Sequence, residues 1–389
     1  MNLVIKFIVS FLLIFGWRLV SFIEIPHLIS LTLLVVHREI SKKALNLIIL
    51  FIPAFFYITL IGFYANHNYG VYPFDTILRI FRLILMIIGI DIFTTKYIKS
   101  KKELYNIIFY CLLSHSILMI GMFLNSGLRE FIYSITGAYK IVNDVYPFVA
   151  GLRISGLTYG LAITSVLQSY LCIFSIYNPL KFNIISRVLV FLISLISMAI
   201  SGKSGFVILA VILLYYLLSS EIRFKSKFKF ILITIMVIIL VISYVSFSFE
   251  GFEWLISSNS ELLNLIETGN SKTSESLSDM YFFPEGLNII FGHGTGSRFI
   301  FSKYLAIDPG FVRWIWGFGI LGSLFLFLPF FKIIKDAVYL KNNVLLLIVI
   351  SLFILHFKED TLYVRVNFYL LIMMYLFLIK NLKKINLIK

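Results

Sequence analysis

Apolar runs long enough to cross a bilayer follow one another along most of this 389-residue chain. About 20 apolar residues make a span. The runs predict helices at 3–20, 22–37, 44–64, 74–95, 104–124, 156–177, 183–200, 204–220, 228–248, 309–331, 343–357 and 361–380. The first two divide one stretch that is too long for a single span, and Gly16-Trp17-Arg18 and Glu24-Ile25-Pro26 mark the break. The pattern is interrupted on a large scale once, from Glu250 to Asp308. Within that insert, residues 252–266 mix Trp254, Leu255, Leu262, Leu263 and Leu265 with polar side chains, as a helix lying along an interface does. Ser276-Leu277-Ser278-Asp279 has the spacing of a capping box, with Asp in place of Glu, and predicts a second short helix. No repeat and no linker divides the chain. The pattern therefore predicts an all-α, polytopic integral membrane protein. It is one membrane domain over 1–389, with about 12 transmembrane helices and a large loop, 250–308, inserted between two of them.

Composition strengthens this picture. Charged residues make up 14% of the chain and the mean hydropathy is +0.97, whereas soluble domains carry roughly 25% charged residues. The N-terminal run has no A-x-A-like cleavage site, so an uncleaved first span is expected. Cys111 and Cys172 lie inside apolar runs, which argues against a disulfide framework or a thiol site.

The net charge of +15 would suggest nucleic acid if it were gathered in a soluble region. Instead it alternates along the chain. Arg38, Lys42 and Lys43; Lys96, Lys99, Lys101 and Lys102; Lys181 and Arg187; Arg223, Lys225, Lys227 and Lys229; Lys332, Lys335 and Lys341; and Lys380, Lys383, Lys384 and Lys389 all fall in alternate loops or the tail. The positive-inside rule puts these in the cytoplasm and makes both termini cytoplasmic. The basic charge then meets anionic lipid, and no nucleic-acid partner is expected. The same rule puts the 125–155 segment, the Ser201-Gly202-Lys203-Ser204 turn and the 250–308 loop outside. That loop carries Glu250, Glu253, Glu261, Glu267, Glu275, Asp279, Glu285 and Asp308 against Lys272, Arg298 and Lys303.

Candidate chemistry concentrates on the outer side. Arg153, Lys203, Arg298, Arg313 and Arg365 fall at outer span ends or in outer loops, where they could grip a diphosphate or simply snorkel to the interface. Phe291-Gly292-His293-Gly294-Thr295-Gly296-Ser297-Arg298 exposes backbone amides and places a histidine near an arginine. It is not G-x-G-x-x-G, which excludes a dinucleotide site. Ser201-Gly202-Lys203-Ser204-Gly205 lacks the first glycine of a P-loop. Asp75, Arg79 and Arg82 share one face of the fourth span, with Asp91 three turns further in. An intramembrane ion pair and a functional role both stay open for them. The last outer turn holds His356, Lys358, Glu359, Asp360 and Arg365, and Glu359 or Asp360 could act as a base. No group has metal-ligand spacing, so neither a metal nor a cofactor is expected.

Several segments together resemble the Wzy-type O-antigen or capsule polysaccharide polymerases, within the superfamily that includes O-antigen ligases. Gly151-Leu152-Arg153-Ile154-Ser155-Gly156 looks like the family's Arg-x-Ser-Gly segment, and Ser201-Gly202-Lys203-Ser204-Gly205 like its Ser-x-(Lys/Arg)-(Ser/Arg)-Gly turn. Phe291-Gly292-His293-Gly294 looks like the Phe-Gly-x-Gly turn that closes the large loop. Asp308-Pro309-Gly310-Phe311 and Trp316-Gly317-Phe318-Gly319-Ile320-Leu321-Gly322 look like the span that follows. The chain departs from the family at the Arg-x10-Gly repeats, since Thr164 and Pro309 stand at that offset from Arg153 and Arg298.

The resemblance implies a metal-independent inverting glycosyltransferase in the bacterial inner membrane. It would join oligosaccharide repeat units carried on undecaprenyl diphosphate at the periplasmic face, and a chain-length regulator membrane protein is a further partner the family allows. On that basis Arg153, Lys203, Arg298, Arg313 and Arg365 would hold the diphosphate. His293 is the first candidate for the base, followed by Glu285, Asp308, Glu359 and Asp360. The alternatives are an O-antigen ligase, a lipid-linked-oligosaccharide flippase or other transporter, and an outer-face acyltransferase.

Overall fold

A computed structural model describes residues 2–20, 23–69, 74–137, 154–158, 160–202, 204–219, 227–228, 231–232, 235, 278–294, 299–300, 303–304, 309–360 and 362–380. In chain order the elements are α1 (Leu3–Phe15), β1 (Arg18–Val20), β2 (Ile23–Glu24), α2 (Ile25–His37), α3 (Lys42–Ile49), α4 (Ile52–Tyr69), α5 (Phe74–Tyr97) and α6 (Lys101–Leu124). They continue with α7 (Ser126–Thr136), α8 (Leu161–Tyr177), α9 (Ile184–Ser201), α10 (Ser204–Leu218), α11 (Asn288–Phe291), β3 (Phe299–Ile300), β4 (Lys303–Tyr304), α12 (Gly310–Tyr339), α13 (Asn343–His356) and α14 (Arg365–Lys380). The strands form two minimal antiparallel hairpins, β1 with β2 and β3 with β4, and among the described residues the other elements are helices. Helices suit an apolar solvent because each one satisfies its own backbone polar groups.

A helix covers each expected apolar run except 228–248, most of which lies outside the described residues, as does the expected interfacial helix at 252–266. Among the described residues, four helical segments are long and apolar enough to cross a membrane: Lys42–His67, Lys101–Leu124, Ile184–Ser201 and Gly310–Tyr339. This is compatible with an integral membrane protein. The expected break in the first apolar stretch is present: Gly16 ends α1, the β1–β2 hairpin turns the chain, and Pro26 stands in the first turn of α2. In the capping-box segment the described residues Ser278 and Asp279 are helical and Met280 turns the chain, while 281–285, where the expected short helix would continue, are not helical. Helix α7 was not expected; Asn125 starts it by accepting the Leu128 N–H at 2.9 Å.

The chain forms two compact units, 1–104 with 276–389, and 105–275, although no linker in the sequence marks a boundary. Each unit is built around one helix buried on all sides. In the first this is α14, whose residues 366–379 are all buried. In the second it is α8, buried from Thr164 to Ile176. A helix enclosed all round needs no polar face. The polar residues that α8 does carry bond to its neighbours, as Ser175 does to the Arg187 carbonyl of α9 at 2.6 Å.

In the first unit, α2 packs closely on α5. A Cβ on Gly89 would stand 2.6 Å from the Ser30 Cα, so the two backbones are in near contact, as small residues permit between apolar helices. Asp91, two residues further along α5, is buried and accepts from both Ser41 N at 2.8 Å and Ser41 Oγ at 2.7 Å. It thereby fastens the start of α3. Lysines gather at this end of the unit: Lys380 Nζ donates to the Thr95 carbonyl at 2.8 Å, Lys43 to the Ile379 carbonyl, and Lys96 pairs with Glu39. The hydrogen bond from Lys96, reinforced by its charge, lowers the Glu39 pKa below the ordinary carboxylate value.

Candidate functional site

The opposite end of the first unit is shaped by a break in α12. Gly319 sits inside this helix at φ +63° and ψ −177°, a conformation open to glycine alone. The break frees the carbonyls of Trp316 and Gly317 from their helical partners. The Phe-Gly-His-Gly turn supplies new ones: His293 N–H donates to Trp316 O at 2.9 Å and Gly294 N–H to Gly317 O at 2.7 Å. Gly292 and Gly319 make this possible together, since a Cβ on Gly292 would stand 2.4 Å from the Gly319 nitrogen. The rest of the segment is tied down by Tyr57 of α4, whose hydroxyl donates to Phe291 O at 2.8 Å. Trp316 Nε1 donates to Phe282 O at 2.7 Å, and Tyr281 donates to Phe357 O.

His293 is consequently held in one orientation. Its ring stacks on the Trp316 indole at 4.7 Å with an interplanar angle of 11°. Its Nδ1 lies 3.1 Å from the Trp316 carbonyl oxygen. A carbonyl only accepts, so Nδ1 carries the hydrogen and Nε2 carries the lone pair of the neutral ring.

The start of the same helix, α5 and the turn after α13 build a charged cluster. Asp360 Oδ2 lies 3.6 Å from Arg79 of α5 and 3.9 Å from Arg313 of α12. Trp314 Nε1 donates to Asp360 Oδ1 at 3.1 Å. The Asp360 side chain is 11% exposed and that of Arg79 52%, so the carboxylate sits low with a guanidinium reaching outward. Beneath it, His356 is fully buried against Phe311 and Trp314, with Nδ1 3.8 Å from Asp360 Oδ1. Neither ring nitrogen of His356 has a hydrogen-bond partner among the described residues. An acid flanked by two arginines and an indole N–H is placed to align cations rather than to take a substrate proton.

In the second unit the two other glycine motifs are also anchored. Ile154 N–H donates to Ile200 O at 2.8 Å, which sets the Arg-x-Ser-Gly segment against the end of α9. Leu157 N–H donates to the buried His115 Nε2 at 3.1 Å, and the Gln168 side-chain amide meets Nδ1 at 2.8 Å. Ser165 Oγ accepts from Gly205 N at 2.9 Å and donates to the Gly202 carbonyl, so one hydroxyl clamps the turn on both sides of position 203.

Of the residues singled out from sequence, His293, Arg313 and Asp360 stand on the first two turns of α12 or on elements bonded to them. Glu285 is exposed in the loop before α11, and Glu359 lies in the turn after α13. Arg365 opens α14. Arg153, Lys203, Arg298 and Asp308 lie outside the described residues, as does the Asp75 side chain. Trp314 and Trp316 are additions. Arg79, for which the sequence leaves an ion pair and a functional role open, joins the Asp360 cluster, as the cost of an arginine at membrane depth, which demands a partner, would lead one to expect. Asp91 is separated from that group by its structural role at Ser41. No group of three His, Cys, Asp or Glu among the described residues is placed to hold a metal ion. Compared with family models, curated proteins and solved structures, the chain matches none.

Proposed function

We propose that the chain polymerises lipid-linked oligosaccharide repeat units in the bacterial inner membrane, crossing it twelve times with both termini in the cytoplasm. The growing glycan passes from undecaprenyl diphosphate to a sugar hydroxyl of a new unit at the outer face. The observation that carries this reading is the His293 ring, stacked on Trp316 with Nδ1 3.1 Å from its carbonyl oxygen, on the helix end that also holds Arg313, itself near Asp360 and so linked to Arg79.

His293 Nε2 takes the proton of the attacking hydroxyl. The hydroxyl oxygen bonds to the anomeric carbon as the bond from that carbon to the diphosphate oxygen breaks, with inversion. Negative charge then grows on the leaving diphosphate, where Arg79 and Arg313, aligned by Asp360, stabilise it. Arg153, Lys203, Arg298 and Arg365 remain candidates for further diphosphate contacts.

The test is surface-glycan banding in a deletion strain complemented with His293→Gln or Arg313→Ala. Loss of a general base costs about 10²–10⁴-fold and loss of a donor that stabilises transition-state charge about 10²–10³-fold, so both variants should leave glycans capped by a single repeat unit at normal protein abundance. Ladders of ordinary length from both would end the proposal. Bare core with accumulated lipid-linked polymer would instead identify a ligase.

A further inference from the structure

Helix α7 begins one residue after α6, a helix of 24 residues that rises about 36 Å and is therefore long enough to cross the hydrocarbon layer. Asn125 breaks the two helices apart and caps the second. Three faces follow from 100° per residue. One is turned to the core of the second unit: Tyr133 and Thr136 are buried there, and Tyr133 packs with Met119, Met122, Ile154 and Ile200. A second is apolar and open, with Phe131 59% and Ile135 42% exposed. The third, between them, is polar and open and carries Ser126, Glu130 and Ser134.

Apolar and polar exposed faces side by side, at the end of a membrane-length helix that itself exposes Ile117 and Leu124, belong at the boundary between acyl chains and headgroups. We propose that α7 lies in that boundary, on the leaflet where α6 ends, with Phe131 and Ile135 among the acyl chains and Glu130 and Ser134 in the headgroup layer. Its inward face then sets the depth of the Arg-x-Ser-Gly segment, because the Tyr133 hydroxyl accepts the Ser155 N–H at 3.1 Å. The proposal is independent of any catalytic role.

Nitroxide labels at F131C, I135C, E130C and S134C in the full chain, purified and reconstituted in phosphatidylglycerol–phosphatidylethanolamine vesicles, test it. Cys111 and Cys172 are buried and do not compete for label. Collisions with oxygen should exceed those with a nickel chelate at least threefold at 131 and 135, and the order should reverse at 130 and 134. Phe131→Trp gives an independent reading: brominated acyl chains should quench the added fluorescence. Chelate-dominated collisions at 131 and 135 would overturn the proposal. If those two sites were also protected in native membranes, the face would belong to a protein partner, and the proposal would equally fall.

Discussion

Gly319 is the residue on which the position of His293 depends. A side chain there meets two obstacles: the backbone conformation excludes an L-residue, and the new Cβ would stand 2.1 Å from the Ile290 carbonyl oxygen. Strain of this kind alone costs on the order of 1–3 kcal/mol. Gly319→Ala should therefore undock the Phe-Gly-His-Gly turn and lower thermal stability in detergent by at least about 2 kcal/mol. Exposure of the turn to limited proteolysis, with α12 intact, is the check, and an unaltered digestion pattern would refute the coupling. The motif itself was legible in the sequence, as three alternating glycines around a histidine. Its receptor was not. Trp316-Gly317-Phe318-Gly319 was recognisable as a motif, but nothing in a linear pattern says that a glycine between apolar residues breaks the helix rather than packs. Asp360 illustrates the same limit. It was read as a candidate base, and the two arginines that flank it come from distant points of the chain.

At the level of elements, hydrophobic periodicity located helices well and the contacts between them poorly. In the sequence Asp75, Arg79 and Arg82 of α5 share one face, with Asp91 further in, and an ion pair and a functional role are both open to them. In three dimensions they divide: Arg79 serves the Asp360 cluster, and Asp91 fastens α3 by accepting both donors of Ser41. That division yields a prediction. Asp91→Ala removes a carboxylate acceptor from a partly buried N–H and hydroxyl and should cost about 2 kcal/mol. Glycan polymerisation should persist at permissive temperature, because the site lies at the other end of the unit. Thermal unfolding of the purified variant together with banding in vivo decides the matter; a variant as stable as the parent, or one inactive despite normal abundance, would contradict this assignment. Helix α7 escaped the sequence reading for a different reason. It is short, half its apolar residues face out, and it lies within a segment taken simply as an outer connection. Its signal was the asparagine cap followed by apolar residues at helical spacing.

For the molecule as a whole, the distribution of cations is the strongest link between pattern and function. Within the first unit, α5, α12 and α14 each have arginine near the start and lysine near the end: Arg79 and Lys96, Arg313 and Lys332, Arg365 and Lys380. The rise from Arg79 to Lys96 is about 26 Å at 1.5 Å per residue, close to the ~30 Å of a hydrocarbon core. Lysine is a compact point charge suited to an anionic leaflet, whereas arginine makes the planar, two-pronged contact that a phosphate accepts. If the lysine end faces the cytoplasm, the Asp360 cluster opens on the outer side, where lipid-linked glycan would be joined. Lys99 and Glu285 are exposed and mark the two ends. In intact spheroplasts an impermeant maleimide should label Glu285→Cys readily and Lys99→Cys only after lysis, with the buried Cys111 and Cys172 silent in both cases. Labelling of Lys99→Cys before lysis would invert the protein and place the arginine cluster on the wrong side of the membrane for any outer-face transfer.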